Sequence, residues 1–360
     1  MSKDDMTDPI TKTFHDLTEG KYHHVDRKLF SYVDRDQRFY RYPIHFEDIK
    51  RMPDEERILS ELKEMRGEDW KINKPLPKRS KDVSFAKYYA SRIGDRLYDK
   101  FMRLYTLKMW GYSGDDMPTD TTFADQLRDK NQEKNMDQHD PMHFEVEVTP
   151  LAEGTFCVYP TVNAKYAMGG YNAMFDKMVD GCEVRHEEVI VVTKDSIITN
   201  GDSLWTSHYD HIFNTLAPDL VTKREPILRA MGRIMIPFII PEKIMEGVET
   251  IYYPGYEFQT RLTNMDRVTG HENAVATLLT MEIPVYPGTT FPAPMLFYAK
   301  DHSLYCDRAY PDRRKEEIEK LMELRKNFPD RTIHCGRMAE WQYMGMSEVM
   351  RSAYEKVENL

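Results

Sequence analysis

Residues 96–111 read RLYDKFMRLYTLKMWG. Leu97, Phe101, Leu104, Tyr105 and Lys108 recur at the three- and four-residue steps that put side chains on one stripe of a helix. Gly94 breaks the run before it and Gly111 closes it. Upstream, FEDIKRM and DEERILSELKEMRG continue the helical pattern, the second stopping at Gly67. Further upstream, KLFSYVDRDQRFYRYPI (28–44) sets aromatics on both sides of Asp34-Arg35-Asp36, which predicts a hairpin. Downstream the pattern changes. After a polar, irregular stretch over 111–150 come FEVEV, TFCVYP, EEVIVV, SIIT, TIYYPGYEF and AVATLLTMEIPVY, all strand-like. DRRKEEIEKLMELRKNF then reads as a polar helix, and IHCGRMAEWQYMGMSEVM (333–350) as a strand, a glycine turn and the start of a last helix.

Helices followed by strands predict an α+β chain: a helical subdomain, a mainly antiparallel sheet and a terminal helical cap. Four regions are expected: an N-terminal hairpin region 1–46, a helical subdomain 47–120, a sheet and substrate domain 121–310, and a C-terminal helix–strand–helix 311–360. No internal repeat is present.

The bulk composition excludes several classes. The chain has 360 residues, 41% of them hydrophobic and 31% charged, which fits a globular protein with a sizeable core. A formal net charge of -10 argues against general nucleic-acid binding, which relies on basic surface. Cys157, Cys182, Cys306 and Cys335 are widely spaced, so neither a disulfide framework nor a zinc site is expected. A reducing cytoplasm is the simplest compartment. The first residues, MSKDDMTDPITKTFHDL, lack the apolar run of a secretory signal. The most apolar stretch, IMIPFII (234–240), is far short of the roughly 20 residues of a membrane span.

Few catalytic motifs survive inspection. No G-x-G occurs anywhere, so the dinucleotide fingerprint is missing, as are the Walker loop and the G-x-S-x-G elbow. Gly169-Gly170 could cradle a phosphate at a helix start, or form an ordinary tight turn. His139 and His143 stand four apart with Asp140 between, but Pro141 interrupts any helix that would align them on a metal, so no metal is expected. Cys335 has His334 beside it, yet successive strand residues point to opposite faces, so a buried structural cysteine is the expectation. The aromatics carry more. Tyr105 and Trp110 close a helix next to a loop, while Tyr159, Tyr310 and Tyr343 lie near Pro or Gly at turns. Arg261, inside the strand-like EFQTRLTN, is unusual unless it faces a pocket. Tyrosine hydroxyls with an arginine fork suit a diphosphate, and aromatic faces suit a nucleobase; the alternative is that most of these are core or surface aromatics, since a chain with 22 tyrosines places some near turns by chance.

Five segments, taken in order, resemble the UDP-galactopyranose mutase family. FSYVDRDQRFYRYPIHF (30–46) is similar to that family's hairpin and L-P-F-N segment. RLYDKFMRLYTLKMWG resembles its helix with a tyrosine and K-x-W-G, and AMGGYNAMFDKMVDGCEV (167–184) its G-G-Y segment. AYPDRRKEEIEKLMEL (309–324) is similar to its Y-P segment, and residues 333–350 resemble its flavin turn, G-R-x-A-E-x-x-Y. The resemblance implies a mutase-like α+β fold and a flavin-dependent ring contraction of a UDP-sugar, from pyranose to furanose. In that reaction reduced FAD supplies the nucleophile and the protein supplies orientation and charge. Arg261, Tyr310 and Trp110 would be the catalytic set. Tyr105, Trp110, Tyr159, Arg261, Tyr310 and Tyr343 would hold the UDP-sugar. Gly336, Arg337, Gly345 and Met346 would line the flavin, with the helix from Met346 aiming its positive end at the anionic ring.

The departures are equally specific. The family's strand–G-x-G-x-x-G–helix unit, which grips the FAD adenosine diphosphate, has no counterpart here, so only a remnant of the dinucleotide-binding domain is expected. A separate chain could supply that unit, and a homo-oligomer is left open. The mobile catalytic arginine aligns with His143, the L-P-F-N asparagine with His45, and the acidic residue of the flavin turn with Gly345. The competing expectation is therefore a non-catalytic homologue that binds a nucleotide sugar or a partner chain.

Overall fold

The computed structural model describes residues 6–26, 28–42, 44–67, 83–117, 142–143, 156–160, 162–163, 168–222, 227–270, 275–286 and 305–360. The first described element is a helix, α1 (Pro9–Thr18), within the region expected as an N-terminal hairpin. Asp8 caps it, its carboxylate accepting from the Thr11 amide at 3.0 Å, and Pro9 takes the first turn, where its missing N–H costs nothing. Strand β1 (Tyr22–Asp26) follows, then the expected hairpin of β2 (Leu29–Val33) and β3 (Arg38–Tyr42), turning through Asp34–Asp36.

Helix α2 (Glu55–Arg66) ends at Gly67 and α3 (Phe85–Ile93) at Gly94, both glycines at positive φ. The 96–111 stretch is one continuous helical run in three pieces: α4 (Asp95–Tyr98), a π-helical turn Asp99–Arg103, and α5 (Leu104–Trp110). The predicted stripe faces inward, with Leu97, Phe101 and Lys108 buried. Gly111 ends the run at φ +77°, and a Cβ there would stand 2.5 Å from Met231 Sδ. Glycine is needed both for the angle and for the close approach.

The strands that follow are β4 (Phe156–Pro160), β5 (Val189–Val192), β6 (Ser196–Thr199), β7 (Ser203–Trp205), β8 (Ile212–Asn214), β9 (Ala230–Ile240), β10 (Thr250–Tyr252), β11 (Arg261–Asn264), β12 (Thr277–Val285), β13 (Tyr305–Pro311) and β14 (Thr332–His334). Helix α6 (Gly170–Met178) lies between β4 and β5; α7 (Lys315–Arg325) precedes β14, and α8 (Met346–Glu358) ends the chain. A seven-stranded sheet runs β13-β9-β12-β11-β10-β2-β3, antiparallel except at β10–β2. The mainly antiparallel sheet is thus present, and the hairpin of region 1–46 forms its edge. The apolar stretch IMIPFII lies within β9. Among the described residues β13 pairs with β9 from Ala230 to Ile234, short of Pro237, and Pro237 stands opposite Thr280 of β12.

Helices α2–α5 cover one face of this sheet. Val33, Tyr40, Met231 and Tyr310 pack there against Ile58, Leu62, Phe85, Ile93, Leu97, Phe101 and Trp110. Separate small pairings complete the fold: β5-β6-β7, β1 with β4, and β8 parallel to β14. The last is a two-stranded parallel pair that the sequence did not suggest.

Candidate functional site

Register brings the site together. Arg261 stands opposite Tyr252 on β10 and opposite Glu282 on β12, so the three side chains share one sheet face. Glu282 in turn stands opposite Met235 on β9, which puts Arg233, two residues away, on the same face. On the other side of β9, Met231 faces Tyr310 of β13 across a bulge that re-aims this end of the sheet. Helix α5 lies over this face and contributes Tyr105 from its first turn and Trp110 from its end.

At the centre is Glu282, only 2% exposed. Its Oε2 accepts from Arg261 Nη2 at 2.6 Å. Its Oε1 accepts from Arg233 Nε at 3.1 Å and from Thr260 Oγ1 at 2.7 Å. Burial would raise the Glu282 carboxyl, but the charges of Arg261 and Arg233 and the Thr260 hydrogen bond outweigh it and hold the group below the usual carboxylate range. Arg233 also donates to the carbonyls of Gly232 at 2.7 Å and Met109 at 2.9 Å, tying the end of α5 to the sheet. A third of the Arg261 side chain stays accessible, and its Nε finds no hydrogen-bond partner among the described residues.

Next to this ionic centre lies an aromatic one. Tyr310 and Tyr343 stack with centroids 5.0 Å apart and planes 14° apart. Trp110 meets both edge-on, at 5.5 and 5.4 Å. Arg233 sits over the Tyr310 ring at 4.0 Å, and Arg337 over Tyr343 at 4.2 Å and Tyr310 at 5.0 Å. Tyr105 packs edge-on against Tyr252 at 5.8 Å. Burial, then Tyr343 and Glu282, push the Tyr310 hydroxyl far up, and burial with Tyr252 does the same to Tyr105. Both remain protonated hydrogen-bond donors at any physiological pH. Three guanidiniums therefore surround one carboxylate and a tyrosine stack. The arrangement can receive a multiply charged anion that carries an aromatic or sugar group.

Lys108 closes one side. Its ammonium donates to the carbonyls of Tyr253, Glu257 at 3.0 Å and Gln259 at 3.0 Å, pinning α5 to the loop that leads into Arg261.

The C-terminal wall is built differently. Gly336 adopts φ +85° with open space where a side chain would be, the nearest atom being Val349 Cγ1 at 3.7 Å. Arg337 leaves the turn, donates to the Ala309 carbonyl and keeps an Nε without a partner among the described residues. Trp341 is fully buried at φ +57°, held by its indole N–H on the Asp312 carbonyl at 2.9 Å. That costly backbone angle delivers Tyr343 to the stack. Gly345 and Met346 begin α8. Here the Glu348 carboxylate accepts the Gly345 amide at 2.6 Å, taking up the first donor of the helix end. Burial pushes Glu348 up to about 7, against the pull of that hydrogen bond and of Arg337. The open Gly336 and the spare Arg337 donor fit the edge of a planar, hydrogen-bond-accepting ring such as a flavin.

Of the residues singled out in the sequence, the structure brings Trp110, Arg261, Tyr310, Tyr343 and Arg337 into one cluster, with Tyr105 beside it. Tyr159 is on β4, paired opposite His23 of β1, and its side chain lies outside the described residues. His139 and Asp140 also lie outside them. His143 stands opposite His45 in a short parallel pairing, so two positions that depart from the mutase pattern are neighbours. No cluster of metal-ligating side chains occurs among the described residues. Cys335 is buried, as expected. Gly170 starts α6 at φ +65°, directly after a short antiparallel pairing of Val162–Asn163 with Met168–Gly169. Sequence reasoning missed Arg233, Glu282 and Tyr252. The signal that singled out Arg261, a charge inside a strand, applies equally to Arg233 in GRIMIPFII and Glu282 in LLTMEIPVY.

No family model matches the chain, and no curated protein matches it. Solved structures do. A reduced UDP-galactopyranose mutase superposes with a TM-score of 0.63 at 16% identity, over 92% of this chain and 76% of its own. A protein assigned as a protoporphyrinogen oxidase from Exiguobacterium also reaches 0.63, at 13% identity, over 98% and 84%. An oxidoreductase from Methanosarcina mazei reaches 0.50 at 12% identity, over 97% and 85%. Among the described residues no helix is long and apolar enough to cross a membrane. At such low identities the likeness speaks for architecture alone: this chain has the fold shared by UDP-galactopyranose mutase and these oxidoreductases.

Proposed function

We propose that this chain is a UDP-galactopyranose mutase-like protein whose Arg261–Tyr310–Tyr343–Trp110 cluster grips the diphosphate and sugar of a UDP-sugar. The observation that carries this reading is the excess of guanidinium over carboxylate around a stacked tyrosine pair, with Arg261 partly accessible. Arg261 neutralises the diphosphate, Tyr310 and Tyr343 donate hydroxyl protons to its oxygens, and Trp110 excludes water from the sugar. Tyr105 lies against the uracil. Each donor aimed at the departing diphosphate favours its release. FAD in its reduced form, when bound, supplies the electron pair that attacks the sugar's anomeric carbon. Arg337 and the Gly336 turn would hold the flavin edge, and Gly345 and Met346 would border it.

A second reading keeps nucleotide-sugar binding and drops the chemistry. Glu348 favours it, because its carboxyl already occupies the helix end that would face an anionic flavin. Calorimetry with UDP and UDP-galactose tests both readings: heat is expected with each, and none at millimolar ligand removes them together. The absorption spectrum separates them. Flavin bands and furanose formation after reduction are expected of the mutase, whereas colourless protein that takes up no FAD leaves only the binding function.

A further inference from the structure

Both oxygens of the Glu282 carboxylate are in use. Oε2 holds Arg261 Nη2 at 2.6 Å, and Oε1 holds Arg233 Nε at 3.1 Å and Thr260 Oγ1 at 2.7 Å. The carboxylate cannot rotate without breaking at least one of these bonds. Arg233 is itself fixed by two backbone carbonyls and by the face of Tyr310. Arg261, by contrast, is fixed at only one edge: its Nε has no partner among the described residues and a third of its side chain is accessible. The strand register puts Glu282 directly across from Arg261. Among the described residues, the carboxylate is thus the fixed point that holds the Arg261 guanidinium.

A carboxylate inside an anion site should, by charge alone, oppose anion binding. We propose that Glu282 is a positioning residue that fixes the direction of Arg261, and that its alignment of that guanidinium outweighs its own repulsion of a bound diphosphate. The inference rests on the UDP-sugar reading for its ligand, but the alignment of Arg261 is a property of the free protein. A guanidinium already held in place loses less freedom when it meets a phosphate than one that must be ordered on binding.

Glu282→Gln keeps the shape and removes the charge, and the sign of the outcome is decisive. Alignment predicts that UDP binding, followed by calorimetry at fixed salt, weakens about tenfold, the scale of a lost charged partner. An unchanged or tighter affinity would overturn the proposal, while the UDP-sugar reading would stand. The ligand-free protein gives a second, independent readout by nitrogen-15 NMR. The Arg261 Nε–H should be one slowly exchanging resonance, assigned by its loss in Arg261→Lys, and should broaden into exchange with water in Glu282→Gln. A sharp, protected resonance in Glu282→Gln sinks the inference whether or not UDP binds. Should Glu282→Gln not fold, Thr260→Val removes the hydroxyl that donates to Glu282 Oε1 at 2.7 Å and, more weakly, to the Glu282 carbonyl at 3.3 Å, and leaves both charges of the Glu282–Arg261 pair in place. It should weaken UDP binding about two- to threefold and speed the same exchange, in keeping with a hydroxyl that acts on Arg261 only through Glu282; no change in either would count equally against it.

Discussion

The two walls of the candidate site differ in how their charges are used. On the sheet side, Arg233 and Arg261 share Glu282, and cation outnumbers anion around buried aromatic rings. On the C-terminal side, Glu348 takes the helix-end amide and lies close to Arg337. Among the described residues the sheet wall thus sets two guanidiniums against one carboxylate, while on the C-terminal wall one guanidinium, Arg337, lies near one carboxyl, Glu348. An unbalanced buried charge is costly unless something compensates it. The difference therefore teaches where a ligand's charge is needed: at Arg261 and the tyrosine stack, more than at the start of α8.

The comparison can be broken most forcefully at its aromatic centre. Tyr310→Ala removes a 4%-exposed ring that Trp110, Tyr343, Arg233 and Arg337 all touch. We expect a loss of about 3–4 kcal/mol in unfolding free energy, measured by denaturant titration. Arg261→Ala should cost about 2–4 kcal/mol of UDP binding by calorimetry, part of it from the Glu282 charge left behind. Arg337→Ala, on the other wall, should cost only about 1 kcal/mol of UDP binding, the scale of a cation–π contact. Equal losses at Arg261 and Arg337 would erase the distinction between the walls.

The pH dependence sharpens it further. His334 on β14 is held down to about 4, first by burial and then by Arg325 and Lys356, so the folded state keeps it neutral. As pH falls from 6.5 toward 4 the unfolded chain takes up a proton there and the folded one does not, so stability is lost, by ~1–2 kcal/mol after allowing for its partial exposure. Glu348 has the opposite sign. With its folded value near 7, it favours folding below the ordinary carboxylate range, and that contribution disappears as pH rises through 7. Melting temperature should therefore fall less between pH 6.5 and 4 in His334→Asn than in the parent. In Glu348→Gln it should lose its decline on the way to neutral pH, by about 1 kcal/mol or less once solvent screening is counted. A Glu348→Gln profile that overlays the parent would mean that the carboxyl is ordinary.

Much of the fold was legible in local pattern. The stripe over 96–111, the stops at Gly67, Gly94 and Gly111 and the hairpin about Asp34–Asp36 follow from periodicity and from backbone angles that glycine adopts freely. Helix α1 was harder to see, because its buried stripe is short and its clearest signal is the Asp8 cap and Pro9. The π-helical turn at Asp99–Arg103 left no trace in the pattern, since one extra residue per turn barely disturbs an apolar stripe. The parallel pair β8–β14 joins three-residue strands far apart in the chain, too short for any periodicity to register.

The site divides along the same line. The amino-acid sequence by itself determined the aromatic and arginine inventory, and the resemblance to the mutase pattern picked out Trp110, Arg261, Tyr310, Arg337 and Tyr343. The tertiary structure alone decided that Glu282 stands across from Arg261, that Arg233 ties both the carboxylate and the end of α5, and that Tyr310 lies flat on Tyr343. The reason is physical. Helix stripes and glycine stops are set by neighbours a few residues away, whereas a cross-strand ion pair depends on register, and register is fixed only when the whole sheet closes over its core.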